Sequence, residues 1–434
     1  MEGAYAGGRA VYLVDGARTP FLKARGRPGP FRASDLAVAA GKALLARQPF
    51  RPGALDEVIF GCIIPGPDEA NIARIIALRL GCDQATPAWT VQRNCGSGMQ
   101  AIDCAALDIA HGRADLVLAG GTEAMSQSPV LHNDRMVRLL ADLAGAKSVW
   151  GRLKALAGLR PAHLKPVLSL VRGLSDPITG LNMGQTAEML ANRFGISRER
   201  MDAYALGSHR RLARAQDEGR LGEIAPLCGE DGVFRDRDEG LRRDASPEGL
   251  ARLKPAFDPP HGRVTAGNSA QITDGAACVL LASGDAVARH GLPVLARVAD
   301  CHWAGLAPEQ MGLGPVHAMA PILRRRGLGT GDVDFWEINE AFAVQVLACQ
   351  EAWSDAAYCR DELGQAEPFA PIDPERLNVD GGGVALGHPV GCSGTRIVLH
   401  LARALARTGA RRGMASQCIG GGQGGALLLE SVEG

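Results

Sequence analysis

The sequence predicts an α/β fold made of one duplicated unit, on three observations. Apolar runs of strand length alternate with segments of helical periodicity, which argues a mostly parallel sheet covered by helices on both faces. Glycine clusters stand where strands should end, at 96–98, 120–121, 381–383 and 420–425. The order strand, glycine-rich turn, helix, strand, glycine turn occurs at Trp89 to Met125 and again from Leu377 to Glu430, which reads as an internal duplication. A chain of 434 residues has room for two or three ordinary cores or for one large duplicated body.

Taken in order, Val11 to Val14 reads as a first strand, Ala33 to Ala46 as a helix and Glu57 to Cys62 as a second strand. A helix over Glu69 to Leu80, a strand ending at Trp89 to Val91 and a helix from about Met99 to His111 follow. Leu116 to Ala119 is then a short buried strand closed by Gly120-Gly121. Met183 to Phe194 and Arg198 to Asp217 carry helical spacing, Glu230 to Gly249 reads as charged loop, and Ala276 to Ala282 as a buried strand. Strands are expected at Leu295 to His302, Phe335 to Ile338, Leu377 to Val379, Gly413 to Ile419 and Ala426 to Glu430. Helices are expected at His317 to Arg326, Ala341 to Ala352 and Ser393 to Thr408. The division that follows is 1–128 for an N-terminal core half and 129–253 for an inserted loop domain; 254–290 completes the first half, and 291–434 forms the C-terminal half.

Formal net charge is zero, so the overall balance points to no nucleic acid. The eleven cysteines show neither C-x-x-C pairs nor zinc spacing, and no signal-like or membrane-length apolar run appears; a soluble cytoplasmic protein with free thiols and no metal is expected. Residues 129–180 depart from the neutral average, with eight basic residues opposed by Asp134, Asp142 and Asp176 and interleaved with Leu, Val and Trp at helical spacing. Three readings compete for this stretch: a solvated excursion, a lid over an acyl chain, and a surface for anionic lipid or a partner subunit.

The residues that could carry chemistry cluster at the glycine turns. Cys95, before Gly96-Ser97-Gly98, is expected at a helix N-terminus, where peptide dipoles favour a thiolate and lower its pKa. His388 lies in the matching turn of the second half, where a neutral imidazole can serve as base to a thiol. Cys418 precedes Gly420-Gly421-Gly422, whose N–H groups can form an oxyanion nest. Asn339, between a strand and a helix, can orient a water or cap the helix. Cys392 reads as packing.

These segments, Asn94 to Gly98, Gly120 to Met125, Asn339 to Phe342, Gly387 to Pro389 and Cys418 to Gly424, resemble the signatures of the thiolase family in the family's order, over essentially the whole chain. The resemblance implies a duplicated five-layered α-β-α-β-α fold with a loop domain inserted in the first half, in homodimers or homotetramers. It implies Cys95 as the acyl-accepting nucleophile, His388 as its base and Cys418 as the second acid/base. One oxyanion site would combine His388 with a water on Asn339, the other the N–H groups of Cys95 and Gly420. Coenzyme A enters as substrate, with no cofactor. Met183 would line the pantetheine channel, Arg242 would meet the adenosine phosphate, and Ser269 and Phe342 would contact substrate; Ala270 stands where the family usually has serine, and Asn182 where it often has histidine.

Within the family, Tyr204 to His209 and the basic excursion resemble the thiolase subunit of fatty-acid β-oxidation complexes. That implies thiolytic cleavage of 3-ketoacyl-CoA to acetyl-CoA, a hydratase/dehydrogenase partner and peripheral membrane contact through 129–180. The alternatives are a short-chain acetoacetyl-CoA thiolase and a non-catalytic thiolase-like lipid-binding protein.

Overall fold

A computed structural model describes residues 3–5 and 7–432. Its core is a ten-stranded sheet. In chain order the main strands are β1 (Val11–Arg18), β2 (Glu57–Gly61), β3 (Ala88–Val91), β4 (Leu116–Ala124), β5 (Thr273–Ser283), β6 (Ala296–Gly305), β7 (Phe335–Ile338), β8 (Arg412–Ile419) and β9 (Gln423–Glu430). They lie side by side as β7-β8-β9-β6-β1-β5-β4-β2-β3, and the two-residue strand Leu22–Lys23 pairs with β5. The helices used below are α1 (Ala33–Leu45), α2 (Ile72–Leu80), α3 (Ser97–Ala110), α4 (Asp134–Gly145), α5 (Val149–Ala157), α6 (Met183–Arg193), α7 (Arg198–Asp217), α8 (Gly314–Arg326), α9 (Ala343–Ser354) and α10 (Ser393–Thr408).

Four strands of one half of this sheet (β1, β5, β4, β2) correspond to four of the other (β6, β9, β8, β7), β3 being extra, and the halves join at β1 and β6, through Tyr12 with Arg297 and Leu13 with Ala296. Side chains alternate between faces, so each strand feeds two cores. Cys278, Leu280 and Ala282 of β5 pack with α1 and α2 on one side, while Val279 and Leu281 pack with α3 and α10 on the other. In β9, Ala426 and Leu428 face α8 and α9, and Leu427 and Leu429 face α3 and α10. The layers are therefore outer helices, half-sheet, the central pair α3 and α10, half-sheet, outer helices.

Three expectations change. The sheet is mixed rather than mostly parallel: only β2 with β3, β2 with β4, and β7 with β8 run parallel. Helical crossovers enforce parallel pairing only where they connect neighbours. Here β8 and β9 are joined by the tight turn Gly420 to Gly422, with φ of 86° at Gly421 and 76° at Gly422, and β4 reaches β5 only through the long insertion. Gly120-Gly121 do not end β4, which continues to Ala124. A Cβ at Gly121 would lie 2.1 Å from the Gly391 carbonyl, so glycine there permits close approach of the other half, not a turn. Finally, Leu377 to Val379 is no strand: Leu377 alone bridges Trp336, and the chain then bends at Asn378, whose φ is 48°.

Between β4 and β5 the chain leaves the core. The basic stretch forms an antiparallel pair of helices, α4 and α5, closed at its base by pairing of Val130 with Leu168 and Leu131 with Val167. Helix α4 begins where Asn133 Oδ1 accepts the Met136 N–H. Only Leu139 of α4 and α5 is buried; Val149 and Trp150 are 73% and 81% exposed. The rest of the insertion is fastened to the core by buried charge. Arg18 holds Asp238 through two hydrogen bonds of 2.7 and 2.9 Å. His400 of α10 lies between Glu223 at 3.0 Å and Asp380 at 3.2 Å, and this enclosure by carboxylates pushes its imidazole up to about 10 against the cost of burial.

Candidate active site

The two central helices decide where the site lies. A Cβ at Gly98 in α3 would stand 2.6 Å from Thr395 Oγ1 of α10, and one at Gly394 would stand 2.6 Å from the Met99 nitrogen. The helix N-termini can meet this closely only because both positions lack a side chain. The turns preceding them, with Cys95 and His388, are thereby brought to one place.

Cys95 sits in a turn fixed by Ser97, whose Oγ accepts from the Arg93 N–H at 2.8 Å and donates to the Asn94 carbonyl at 2.7 Å. Asn94 takes a left-handed conformation, φ 43°, and its amide donates to the Gly420 carbonyl at 2.8 Å. That strained residue ties the Cys95 turn to the turn between β8 and β9. The sulfur faces two backbone donors, the N–H groups of Gly420 and of Cys95 itself. Burial nevertheless outweighs these donors and raises the thiol pKa, the reverse of the lowering expected from a helix N-terminus alone. Cys95 is a neutral thiol at rest.

His388 is 8% exposed. Burial, with Arg396 adding positive charge nearby, pushes its imidazole down to about 4, so the ring is neutral. Ser393 Oγ donates to the Pro389 carbonyl at 3.2 Å and lies 2.6 Å from Nδ1, so Nδ1 carries the proton and donates to it. Nε2 is left with its lone pair, 3.5 Å from the Asn339 amide nitrogen. Ser393 escaped the sequence reading; its place five residues after His388 in a helix-opening turn is the one available signal. Cys418 is fully enclosed, and burial together with neighbouring Cys95 and Cys349 raises its pKa well above that of an ordinary thiol.

Cys95, Asn94, Gly420 and Met183 open onto a cavity of about 1090 Å³ that is also lined by the chain from Pro166 to Ile178 and by Ile63, Ile64 and Val390. The basic excursion is thus two things: its end walls the cavity and its helical hairpin stands in solvent. His388, Cys418 and Asn339 lie behind this surface rather than on it.

The remaining expected contacts separate. Met183 sulfur would touch a Cβ at Gly420, at 3.3 Å. Phe342 packs edge-on against Phe257 at 5.9 Å in the apolar cluster that Met183 borders, and does not line the cavity. The Ser269 hydroxyl is engaged with the Thr265 carbonyl at 2.7 Å, which leaves its hydrogen unavailable to a ligand. Arg242 lies away from the cavity, its N–H on His209 and its charge beside Lys23. Glu340, beside Asn339, accepts from Tyr204, Ser208 and Asn378 at 3.0, 2.6 and 3.0 Å, pinning α7 of the insertion to the turn before His388.

Comparison with known proteins places this geometry. Residues 11–285 match the family model described as thiolase, N-terminal domain, and residues 292–431 that of thiolase, C-terminal domain. The chain is 38% identical over 426 residues to the mitochondrial trifunctional enzyme subunit beta of Bos taurus, covering 98% of this chain and 88% of that protein. It is 41% identical over 434 residues to the beta-ketoadipyl-CoA thiolase of Pseudomonas aeruginosa, covering 98% and 100%. The crystal structure of human mitochondrial 3-ketoacyl-CoA thiolase superposes with a TM-score of 0.83 at 37% identity, over 98% of this chain and 99% of that one. The chain belongs to the thiolase family of acyltransferase enzymes.

Proposed function

We propose that this enzyme cleaves 3-ketoacyl-CoA with CoA, giving acetyl-CoA and an acyl-CoA two carbons shorter, in fatty-acid β-oxidation. The observation that carries the reading is the Cys95 sulfur beneath the Gly420 and Cys95 N–H groups at the mouth of an apolar cavity, with a neutral imidazole from the other half behind it. His388 Nε2 takes the Cys95 proton as the sulfur attacks the 3-keto carbon. The oxyanion formed there is held by the N–H groups of Cys95 and Gly420. The C2–C3 bond then breaks, its electron pair passes into the acetyl-CoA enolate, and Cys418, protonated at neutral pH, supplies the proton to C2. The enolate oxygen lies with protonated His388 and a water on Asn339, whose Oδ1 has no protein partner among the described residues. In the second half-reaction Cys418 thiolate takes the proton of incoming CoA, whose sulfur attacks the acyl carbon and expels Cys95 as a thiolate, and protonated His388 returns its proton to that sulfur.

The cavity argues for an apolar acyl chain, because its walls are chiefly Ile, Leu, Val, Met and Pro. A second reading rests on Arg172, which lines the cavity and forms no ion pair among the described residues, the Asp176 carboxylate in the same wall being turned through Oδ1 to the N–H groups of Ile178 and Thr179. An acyl chain ending in carboxylate would pair with Arg172. Cleavage rates over straight-chain 3-ketoacyl-CoAs from four to sixteen carbons (about that range) and over 3-ketoadipyl-CoA decide between them. Preference for longer straight chains supports the first reading, preference for 3-ketoadipyl-CoA that is lost in R172A supports the second, and activity confined to acetoacetyl-CoA points to a short-chain thiolase.

The exposed hairpin of α4 and α5, apolar and basic, is read as a docking surface for anionic membrane, with a hydratase/dehydrogenase subunit as the other outcome of the test. A homodimeric or homotetrameric assembly and a cytoplasmic location complete the proposal.

A further inference from the structure

We infer that Glu123 is a positioning residue, whose buried carboxylate holds the wall of the acyl cavity and the His388 loop in one register. Four donors from two segments converge on it. Oε2 accepts the N–H groups of Ile63 and Gly391 at 3.0 and 3.1 Å, and Oε1 accepts the Ile64 N–H at 3.0 Å and the Cys62 thiol at 3.6 Å. Ile63 and Ile64 line the cavity together with the 166–178 segment. Gly391 ends the loop that begins at His388, and Val390 between them lines the same cavity. Glu123 therefore stands where an acyl chain would press on one side and the base is carried on the other.

The chemistry of the group matters as well as its place. A carboxylate accepts at both oxygens, so it alone among isosteric side chains satisfies donors on each. An amide would turn N–H groups toward one donor pair, and one of the two segments would have to withdraw. Gly391 lies tight against the carboxylate, where a Cβ would stand 2.7 Å from Oε2 and 2.8 Å from the Thr122 carbonyl, so its withdrawal would carry the loop with it. Glu123 also acts on the nucleophile by charge, since it faces Cys95 and Cys62 and opposes ionisation of both. Its own ionisation is pushed up to about 7 by burial, against the pull of these N–H groups. Among the titratable groups packed around it are Cys62, Cys95 and Cys392, with Glu69 beyond Cys62.

This inference rests on the proposed roles of Cys95 and His388, and its test separates the two. E123Q and E123D are compared with the parent enzyme in kcat and KM for acetoacetyl-CoA and a longer 3-ketoacyl-CoA, and in the pH dependence of Cys95 alkylation by iodoacetamide, followed by mass spectrometry. E123Q is expected to lose about tenfold or more in kcat on both substrates, a loss typical of displaced general-base geometry, with KM for CoA within twofold. Its alkylation curve should move to lower pH, because the opposing negative charge is gone. E123D keeps the charge and shortens the reach, so it should lose kcat while its alkylation curve stays in place. Unchanged kcat in E123Q overturns the inference. So does a loss of kcat with an unmoved E123Q alkylation curve, which is what a merely structural residue would give. Should E123Q not fold, E123D decides by its split between kcat and KM: kcat lost on both substrates with KM for CoA within twofold supports the inference, and parental kcat, or kcat and KM impaired together, overturns it. The alkylation arm needs no turnover, so it judges Glu123 even if the parent enzyme cleaves none of the thioesters, an outcome that would count against the proposed function alone.

Discussion

Iodoacetamide reacts with the thiolate of a cysteine, so its rate against pH reads how the site holds the Cys95 sulfur. Burial raises the Cys95 pKa above that of an ordinary thiol. An ordinary thiol with a pKa of ~8.5 is about 3% ionised at pH 7, and Cys95 must lie below that. The His388 imidazole, pushed down to about 4, is protonated only to the order of 0.1% at pH 7. Transfer of the proton from one to the other is therefore uphill before the new charges attract each other, since burial disfavours the charged form of both groups. That cost keeps the resting pair neutral and places ionisation within the catalytic step. In a C228S background, which removes the exposed competing thiol, the alkylation rate constant of Cys95 should rise about tenfold per pH unit from pH 6 to 8 without levelling. Acyl-CoA should protect the residue. A plateau that begins below pH 7 would establish a preformed thiolate and refute the argument that burial outweighs the helix terminus.

Three further outcomes are expected. C418S should retain slow acyl transfer onto Cys95, whereas H388A should lose that half-reaction, each falling on the order of 10²-fold or more in overall turnover; acyl-enzyme formed at the parental rate in H388A would contradict the assignment. Replacing Arg152, Lys154, Arg160 and Lys165 together by Gln should weaken co-sedimentation with anionic liposomes or capture of a partner subunit at low salt, at about 1 kcal/mol per charge, and leave acetoacetyl-CoA cleavage nearly unchanged; unaltered binding in both assays returns the hairpin to a solvated excursion. His400 carries a raised folded-state pKa, so its contribution to stability is complete below about 6.5 and is lost as pH rises toward about 10; the parent enzyme should lose chemical stability from pH 7 to 10, and H400Q should be less stable at pH 6 with a flatter decline, which urea titration at each pH will check.

Periodicity and turn chemistry made most of the fold legible. Strands buried on two faces carry unbroken apolar runs, and β5, β8 and β9 stand within a few residues of their expected places. Strand direction was not legible, because alternation with helices does not reveal that Gly420 to Gly422 makes a hairpin or that β4 departs into an insertion. Glycine misled where it serves close approach: Gly120 and Gly121 look like a turn in one dimension, yet a Cβ at Gly120 would lie 2.6 Å from the Phe60 ring. The site shows the same division. Cys95, His388, Cys418 and Asn339 lie in local motifs, and each motif could be read from its neighbours in sequence. Glu123 and Glu340 act on partners far along the chain, and nothing beside them in sequence names Gly391 or Tyr204. The lowered Cys95 pKa failed for a related reason: a helix terminus is local, whereas the desolvation that overrides it comes from the whole fold.

Duplication alone would have produced two like turns, and the site works only because the halves diverged at one connection. In the C-terminal half β8 returns to β9 through three glycines, and the first presents its N–H to the Cys95 sulfur of the other half. At the equivalent connection in the N-terminal half, between β4 and β5, the chain instead builds the insertion whose 166–178 segment walls the cavity. The short connection lets backbone reach the Cys95 sulfur; the long one walls the cavity onto which that sulfur opens. The divergence also separates the two equivalent residues. Cys95 opens to the cavity beneath the long connection, while His388 is buried and does not line it, with Ser393 at its Nδ1. Under the proposed function the residue that reaches the cavity is the one that would take an acyl group and the enclosed one the one that would pass a proton, so acceptor and base would follow from where each copy of the turn sits relative to the insertion.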